Sequence, residues 1–133
     1  SETMSMLGEG TVLAYDDNGP DYVSWDLDIP CADTWHIWVR GIDYLQQDSF
    51  WVQVDGEPDP APIFELDCGF GPQDPQYEWH ELNWRDPNGG PCEYVEDPWT
   101  HDWDAGFHNL TLFYRESYAL SRIYITNGDQ SPP

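Results

Sequence analysis

Residues 97–108, with the sequence DPWTHDWDAGFH, place two tryptophans, two histidines and three aspartates within twelve positions. Indole rings are usually buried in a folded protein, whereas aspartates are usually solvated. Their alternation is compatible with three structures: a metal site, an aromatic platform for a sugar, or a loop whose tryptophans pack back into the core. Each of the three makes different demands on the rest of the chain.

A carbohydrate site needs large aromatic rings that lie bare in exposed loops, with short polar side chains beside them. A pyranose ring stacks its apolar C–H face on an aromatic ring, while its hydroxyls require polar partners. Both PWTHDWD (98–104) and IDYLQQD (42–48) have this composition. The sequence therefore predicts a site built from four stacking rings and three hydrogen-bonding side chains. These are Trp84, Trp99, Trp103 and Tyr44 for stacking, and Asp102, Gln47 and Arg40 for hydrogen bonding.

A metal site is the second possibility, because calcium takes about six to eight oxygen ligands from carboxylates and carbonyls in a turn. The segment DDNGPD (16–21) has acids, an asparagine and a turn-forming glycine, and DWD (102–104) adds two carboxylates. Neither has the full spacing of an EF-hand loop. We expect one structural calcium ion, with Asp17, Asp21 and Asp104 among its ligands, and no catalytic metal.

Catalysis is not expected from this sequence. With 26 acidic residues in the chain, some pair of carboxylates will lie at the separation that glycosidases use, so their abundance is not evidence of activity. The sequence has no serine nucleophile elbow, no cysteine–histidine signature and no glycine-rich phosphate loop. It predicts a binding protein and not an enzyme.

The charge of the chain narrows the choice of partner. The 133 residues carry 26 acidic side chains against four arginines and no lysine, for a net charge of -22. Such a field repels nucleic-acid phosphates and anionic lipid surfaces. No apolar segment approaches the roughly 20 residues of a membrane span. Neutral ligands and divalent cations remain, unless the acids serve only to keep an aromatic-rich domain soluble.

Apolar and polar residues alternate with a period of two along much of the chain, and no segment shows a sustained helical stripe. Strands are predicted in YVSWDLDI (22–29), WHIWVR (35–40), SFWVQV (49–54), GTVLAY (10–15), PIFEL (62–66), QYEWHELNW (76–84), HNLTLFY (108–114) and SRIYIT (121–126). About eight short strands separated by turn residues predict an all-β fold, an antiparallel β-sandwich of the jelly-roll type. We expect one domain over residues 1–128, with 129–133 as a tail or linker.

The predicted outward faces of these strands are unusually aromatic. They carry Trp38, Trp51, Phe113, Arg115 and Tyr124. If the middle strands are neighbours, these side chains form one surface on a single sheet, of the kind that marks a binding or assembly site. The alternative function is therefore a self-assembling extracellular fibre or surface-layer subunit, which would need calcium or high salt to neutralise its charge. Loops or chain ends folded over this face are the purely structural explanation.

The cysteines and the start of the chain bear on where the protein is found. Cys68 and Cys92 both lie in segments rich in glycine and proline, and we expect them to form a disulfide with Cys31 as a spare thiol, although spacing alone does not fix connectivity. The chain begins at Ser1 and shows no signal peptide. We therefore expect a mature or excised fragment of a secreted protein.

From residue 22 onward, six phrases occur in the order typical of galactose-binding-like jelly rolls. They are LDIP (27–30), WHIWVR (35–40), DSFWVQVDG (48–56), WHEL (79–82), GFHNLTLFYRE (106–116) and IYIT (123–126). Over this range the chain resembles the carbohydrate-binding modules of families six and thirty-five. The resemblance implies a β-jelly roll that binds a neutral polysaccharide or oligosaccharide without cleaving it.

The chain departs from these families in two places. Their members often hold a structural calcium with a glutamate-rich first strand and an acid near the chain end; only Glu2 and Asp129 correspond to these here. The segment between Trp79 and His108 is longer and more acidic than in the families. Their ligand sites lie on edge loops or on a concave sheet face, so this insertion is expected to rebuild the site.

Overall fold

The computed structural model describes residues 4–13, 15–16, 19–20, 22–42, 49–66, 77–116, 118–129 and 131–132. These residues contain thirteen strands and no helix. In chain order the strands are β1 (Met4–Leu13), β2 (Tyr15–Asp16), β3 (Gly19–Pro20), β4 (Tyr22–Ile29), β5 (Asp33–Ile42), β6 (Ser49–Val54), β7 (Ile63–Glu65), β8 (Tyr77–Glu81), β9 (Trp84–Arg85), β10 (Tyr94–Glu96), β11 (His101–Trp103), β12 (Gly106–Tyr114) and β13 (Tyr118–Thr126). The described part of the chain also contains no helix long and apolar enough to cross a membrane.

The strands form two large antiparallel sheets and one short hairpin. The five-stranded sheet has the order β1-β13-β5-β11, and β8 also pairs with β5. The six-stranded sheet has the order β10-β9-β7-β6-β12-β4, and β2 pairs with β3 alone. In the five-stranded sheet, β11 pairs with residues 33–35 of β5, and β8 pairs with residues 38–42 of β5. The two short strands therefore occupy successive parts of one edge of β5.

One hydrophobic core lies between the two large sheets. Trp35, Ile37 and Val39 of β5 face it from the five-stranded sheet, and Phe50 and Val52 of β6 face it from the six-stranded sheet. All of these side chains are fully buried. Because strand side chains point alternately to the two faces of a sheet, the intervening residues of β5 and β6 point outward. The predicted all-β antiparallel sandwich, with this inward and outward pattern, is confirmed.

The predicted strands and the observed ones differ mainly in the short elements. Each predicted strand overlaps an observed one, although QYEWHELNW divides into β8 and β9. The sequence pattern does not predict β2, β3, β10 or β11, because two or three residues are too few to establish a period of two. Among these, β11 lies inside the 97–108 stretch, so this stretch is partly a strand of the sandwich.

The outward-facing aromatic residues do not form the single surface that the sequence suggested. Trp38 and Tyr124 lie on β5 and β13 of the five-stranded sheet, whereas Trp51 and Phe113 lie on β6 and β12 of the six-stranded sheet. Arg115 places its guanidinium 5.7 Å from the centroid of the Trp51 ring. The expectation of one continuous surface is wrong, because the outer faces of the two sheets of a sandwich point away from each other.

A buried ion pair joins two neighbouring strands of the six-stranded sheet, β7 and β9. Glu65 is 2% exposed and Arg85 is 7% exposed, and their charged groups form a short hydrogen-bonded pair. Asn83 extends this link, since its Nδ2 donates to Glu65 O at 2.9 Å and its Oδ1 accepts from Glu65 N at 3.0 Å. The Tyr94 hydroxyl also donates to Glu65 O, at 3.2 Å. Glu65 thus positions β9 and the Trp84 side chain that β9 carries.

We predict that Glu65→Ala lowers the free energy of unfolding by about 3–5 kcal/mol, because it leaves the Arg85 guanidinium buried without its counter-charge. Chemical denaturation monitored by tryptophan fluorescence would measure the change. Glu96→Ala is the matched control, because Glu96 is exposed and its truncation should cost less than about 0.5 kcal/mol. Equal effects from the two variants would contradict the structural role of the buried pair.

Candidate functional site

The pairing of β11 with β5 explains why tryptophans and aspartates alternate in residues 97–108. His101 lies opposite Trp35, and Trp103 lies opposite Asp33. Trp103 is therefore turned inward and buried, while Asp102 points outward, where its Oδ1 accepts a 2.6 Å hydrogen bond from Thr34 Oγ1. Trp99 is also held inward, since its backbone N–H donates to Leu82 O at 2.7 Å. Aromatic and acidic residues alternate here because the stretch includes a strand at the edge of the sandwich, whose side chains point in turn toward the core and toward solvent.

The structure corrects the expectation that Trp99 and Trp103 lie bare in a loop. Trp99 is only 7% exposed and Trp103 only 6%, and both belong to the core cluster. Trp84 is half-buried and packs against the same cluster. A ligand can therefore reach more of the Trp84 ring than of the other two. The predicted binding role of these residues is a separate matter and stays a prediction.

Five aromatic rings form a continuous row along this edge of the sandwich. Ring centroids are 5.3 Å apart for Trp84 and Trp99, 4.6 Å for Trp99 and His101, and 5.1 Å for His101 and Trp103. The row ends with His108, which stacks on Trp103 at 4.7 Å with an interplanar angle of 14°. These separations lie in the range of favourable aromatic pairs. The row fixes the orientation of each ring by its neighbours.

A tight turn after β6 brings two carboxylates to the row. Val54 N donates to Glu57 O at 2.9 Å and Glu57 N donates to Val54 O at 3.1 Å. Between them, Asp55 has φ 54° and Gly56 has φ 74°, which are the left-handed conformations that an Asp-Gly hairpin turn requires. The sequence VDGE (54–57) is thus a hairpin turn that holds the Asp55 and Glu57 side chains beside the aromatic row.

His108 is held in place by two hydrogen-bond acceptors. Its Nε2 donates to Asp104 O at 2.9 Å, and its Nδ1 lies 2.8 Å from Asp55 Oδ2. Burial alone would lower the pKa of His108, but the hydrogen bonds and the negative charges of Asp55 and Asp104 outweigh it and raise that pKa above its usual value. Asp55 Oδ1 accepts a further hydrogen bond from Asn109 N at 2.7 Å. Both oxygens of Asp55 are therefore engaged within the protein.

The pKa of His101 is lowered, whereas that of His108 is raised, although both rings lie in the same row. Its Nδ1 and Nε2 are both buried, and neither has a hydrogen-bond partner among the described residues. Burial therefore lowers the pKa of His101 from 6.5 to about 4, against the opposing charges of Asp55 and Asp102. At neutral pH this imidazole is uncharged and acts as one more ring of the row.

Four of the five rings of the aromatic row, all except His108, line one side of a cavity of about 370 Å³. This aromatic cavity is lined by Trp84, Trp99, Trp103, His101, Thr100, Asp102, Val54, Asp55, Glu57 and Pro58. Its volume lies near the lower end of the range for small-ligand sites, roughly 300–1,000 Å³. A second cavity of about 340 Å³ has no tryptophan in its lining. The aromatic cavity is therefore the one of the two with an indole surface against which a ligand can pack.

The predicted carbohydrate residues only partly come together at this cavity. Trp84, Trp99, Trp103 and Asp102 all line it, whereas Tyr44 and Gln47 lie outside the described residues. Arg40 is not at the cavity, contrary to its grouping with the tryptophans. It lies on the five-stranded sheet with its guanidinium 4.9 Å from the Tyr77 ring centroid and its Nη1 donating to Ser121 Oγ at 2.9 Å.

Four polar lining residues were missed by reasoning from the sequence. They are Asp55, Glu57, Thr100 and His101. The signal for the first two was present in the Asp-Gly dipeptide after a strand, which predicts a hairpin turn with its polar side chains at the sheet edge. The signal for His101 was its position two residues from both Trp99 and Trp103, because residues two apart in a strand lie on the same face.

The expected calcium ion stays a prediction. Glu2, Asp17 and Asp21 lie outside the described residues, while Asp104 and Asp129 are exposed. Within the described ranges, no group of three or more histidine, cysteine or acidic side chains is arranged to hold a metal ion. The predicted Cys68–Cys92 disulfide also stays a prediction, since Cys68 lies outside the described residues. Cys31 is a free thiol packed against the core.

Comparison with known proteins yields a structural likeness only. No protein-family model matches the sequence, and no curated protein matches it. Among solved structures, the chain is similar to the CBM36-1 domain of a multidomain xylanase from the hindgut metagenome of Trinervitermes trinervoides. The two are 9% identical, the match covers 95% of this chain and 93% of that one, and the TM-score is 0.48. Likeness at this level says nothing about the residues of the aromatic cavity.

His101 should make the protein less stable in mild acid. The unfolded chain binds a proton at His101 near pH 6.5, whereas the folded protein does so only near pH 4. The unfolded state therefore binds more protons between these values, and the free energy of unfolding falls by about 3 kcal/mol as the pH is lowered through this window.

We predict that His101→Phe removes this part of the acid dependence and keeps the ring between Trp99 and Trp103. Urea denaturation of both proteins across pH 4 to 6.5 would measure it. All other side chains are the same in both proteins, so the difference between the two curves reports the replacement of His101. Parallel curves would contradict the buried neutral imidazole.

We predict that Gly56→Ala lowers the free energy of unfolding by about 1 kcal/mol, because an alanine at positive φ is strained. An added Cβ at Gly56 meets no atom within 4 Å, so the effect reports the backbone alone. Gly90→Ala is the matched control, since its added Cβ would make only an ordinary contact at 3.8 Å. Thermal unfolding measures both variants, and a smaller loss at position 56 than at position 90 would contradict the turn assignment.

Proposed function

We propose that this domain binds carbohydrate without cleaving it, and that the aromatic cavity is its binding site. The observation that carries the proposal is the meeting of Trp84, Trp99, Trp103 and Asp102 around one cavity of suitable size. The sequence composition alone also predicts these four residues as sugar-binding. The order of motifs that resembles carbohydrate-binding modules supports the same function.

The rings of the cavity differ in exposure, and the proposal gives them different roles. Trp84 is half-buried and offers the surface on which the apolar face of a sugar can pack. Trp99 and Trp103 are nearly buried and form the fixed wall behind it. A preformed wall of this kind lowers the cost of binding, because fewer side chains lose freedom when the ligand enters.

Polar groups at the rim of the cavity can bind the hydroxyls of a sugar. Asp102 is exposed, and its Oδ2 has no partner among the described residues, since Thr34 is bonded to Oδ1. Glu57 is also exposed, with no hydrogen bond or ion pair to its carboxylate in the described part of the chain. Carboxylates accept hydrogen bonds from hydroxyls. Secretion and a structural calcium ion are compatible with this function and belong to the proposal.

We predict that Trp84→Ala weakens glycan binding by about tenfold or more, as expected for loss of a central aromatic contact. A glycan array would first identify a ligand, and isothermal titration calorimetry would then compare the variant with the natural protein. Trp99 and Trp103 are unsuitable for this test, since truncating a buried tryptophan costs about 3–5 kcal/mol of stability.

The matched control is Trp51→Ala, which removes a half-buried indole from the outer face of the six-stranded sheet. This control should bind glycan as the natural protein does. If no glycan is retained, and sedimentation shows large polymers, the domain is instead a self-assembling subunit. The row of Tyr22, Phe113 and Trp51 across β4, β12 and β6 is the feature that would support such assembly.

A further inference from the structure

We infer that the aromatic cavity prefers a glycan whose sugar rings carry a free, protonated amine over one whose rings are uncharged. The inference rests on the proposed function and names the chemical class of its ligand. Three features of the cavity lead to it: an excess of carboxylates, acceptor oxygens without a partner among the described residues, and indole surfaces beside them.

The charges that surround the cavity are predominantly negative. Asp55, Glu57 and Asp102 line it, and no arginine is among the lining residues. His108 is hydrogen-bonded to Asp55, so the Asp55 carboxylate is already engaged within the protein. His101 is uncharged at neutral pH because burial lowers its pKa to about 4. The carboxylates of Glu57 and Asp102 have no ion-pair partner in the part of the chain that the structure describes.

A cationic ligand suits these two carboxylates better than a neutral one. When a ligand enters the cavity it displaces water from Glu57 and Asp102, and removing water from an unpaired charge is costly. Sugar hydroxyls restore hydrogen bonds but leave the charge uncancelled. An ammonium group supplies three donors and the opposite charge, so it compensates for both losses.

The indole rings favour the same ligand. An ammonium group placed over the face of a tryptophan is attracted by the ring's electron density, and the attraction strengthens where water is excluded. Trp84, Trp99 and Trp103 lie in the same lining as Glu57 and Asp102. A protonated amino sugar can therefore pack its apolar ring face on Trp84 and direct its amine to the carboxylates.

The experiment compares two tetrasaccharides that differ only in acetylation: a β-1,4-linked glucosamine tetramer and its fully N-acetylated counterpart. Isothermal titration calorimetry at mildly acidic pH, where the amines are protonated, should show the glucosamine tetramer binding about tenfold more tightly or better, as a partly desolvated cation–π and ion pair would produce. Physiological or higher salt is required, since it screens the general attraction of a cation to a chain of charge -22.

Glu57→Gln is the test variant, because it keeps the shape of an exposed side chain and removes one cavity charge. It should weaken binding of the glucosamine tetramer much more than binding of the acetylated tetramer, because the glutamine oxygen still accepts hydrogen bonds from hydroxyls but carries no charge. Most of the preference should therefore be lost. Glu96→Gln is the matched control, an exposed acid on β10 that does not line the cavity. It changes the net charge by the same amount and should preserve the preference.

The outcomes separate this inference from the proposed function. Equal binding of the two tetramers, or tighter binding of the acetylated one, would overturn the amine preference and leave carbohydrate binding intact. A preference that Glu96→Gln weakens as much as Glu57→Gln would reflect the overall charge of the chain and would also overturn the assignment to the cavity. If neither tetramer binds, and no glycan on an array binds, both the amine preference and the proposed carbohydrate-binding function are wrong.

Discussion

The antiparallel pairing of β11 (His101–Trp103) with the start of β5 is the constraint on which the candidate site depends. Once His101 and Trp103 lie opposite Trp35 and Asp33, the alternation of a strand decides which side chains face inward. Trp103 then packs into the core, and Asp102 is left at the surface. A shift of one residue would reverse this order and place a carboxylate in the core, so burial enforces the register.

Two charged or hydrogen-bonded side-chain pairs hold the flanking segments against this edge, and they differ in environment. The Glu65–Arg85 pair is buried and secures β9, which carries Trp84. The Asp55–His108 pair is nearer the surface and connects the turn after β6 to the end of the aromatic row. Removing one partner of a buried pair leaves an unpaired charge in the protein interior. The walls of the cavity therefore depend on contacts outside it as well as on the rings that line it.

The long strands were predictable from the sequence, whereas the assembly of the site was only partly so. Alternation in WHIWVR and SFWVQV correctly identified the inward residues of β5 and β6, because burial on one face enforces a period of two over several residues. Three residues of β11 are too few for such a signal, and Trp99 and Trp103 were therefore expected to lie bare. The pairing that brings Asp55 and Glu57 to the row joins strands far apart in sequence. No local pattern reveals that contact.

The state of His101 connects the packing of the row with the electrostatics of the cavity. A charged imidazole at this position would cancel part of the negative charge of Glu57 and Asp102, but burial between Trp99 and Trp103 disfavours the proton. The depression of the pKa to about 4 is thus a consequence of ring packing. The neutral state of His101 also affects the carboxylates at the rim, because this imidazole supplies no positive charge to offset theirs. The aromatic row consequently provides the apolar wall of the cavity and also preserves its negative charge, which favours a cationic ligand over a neutral one.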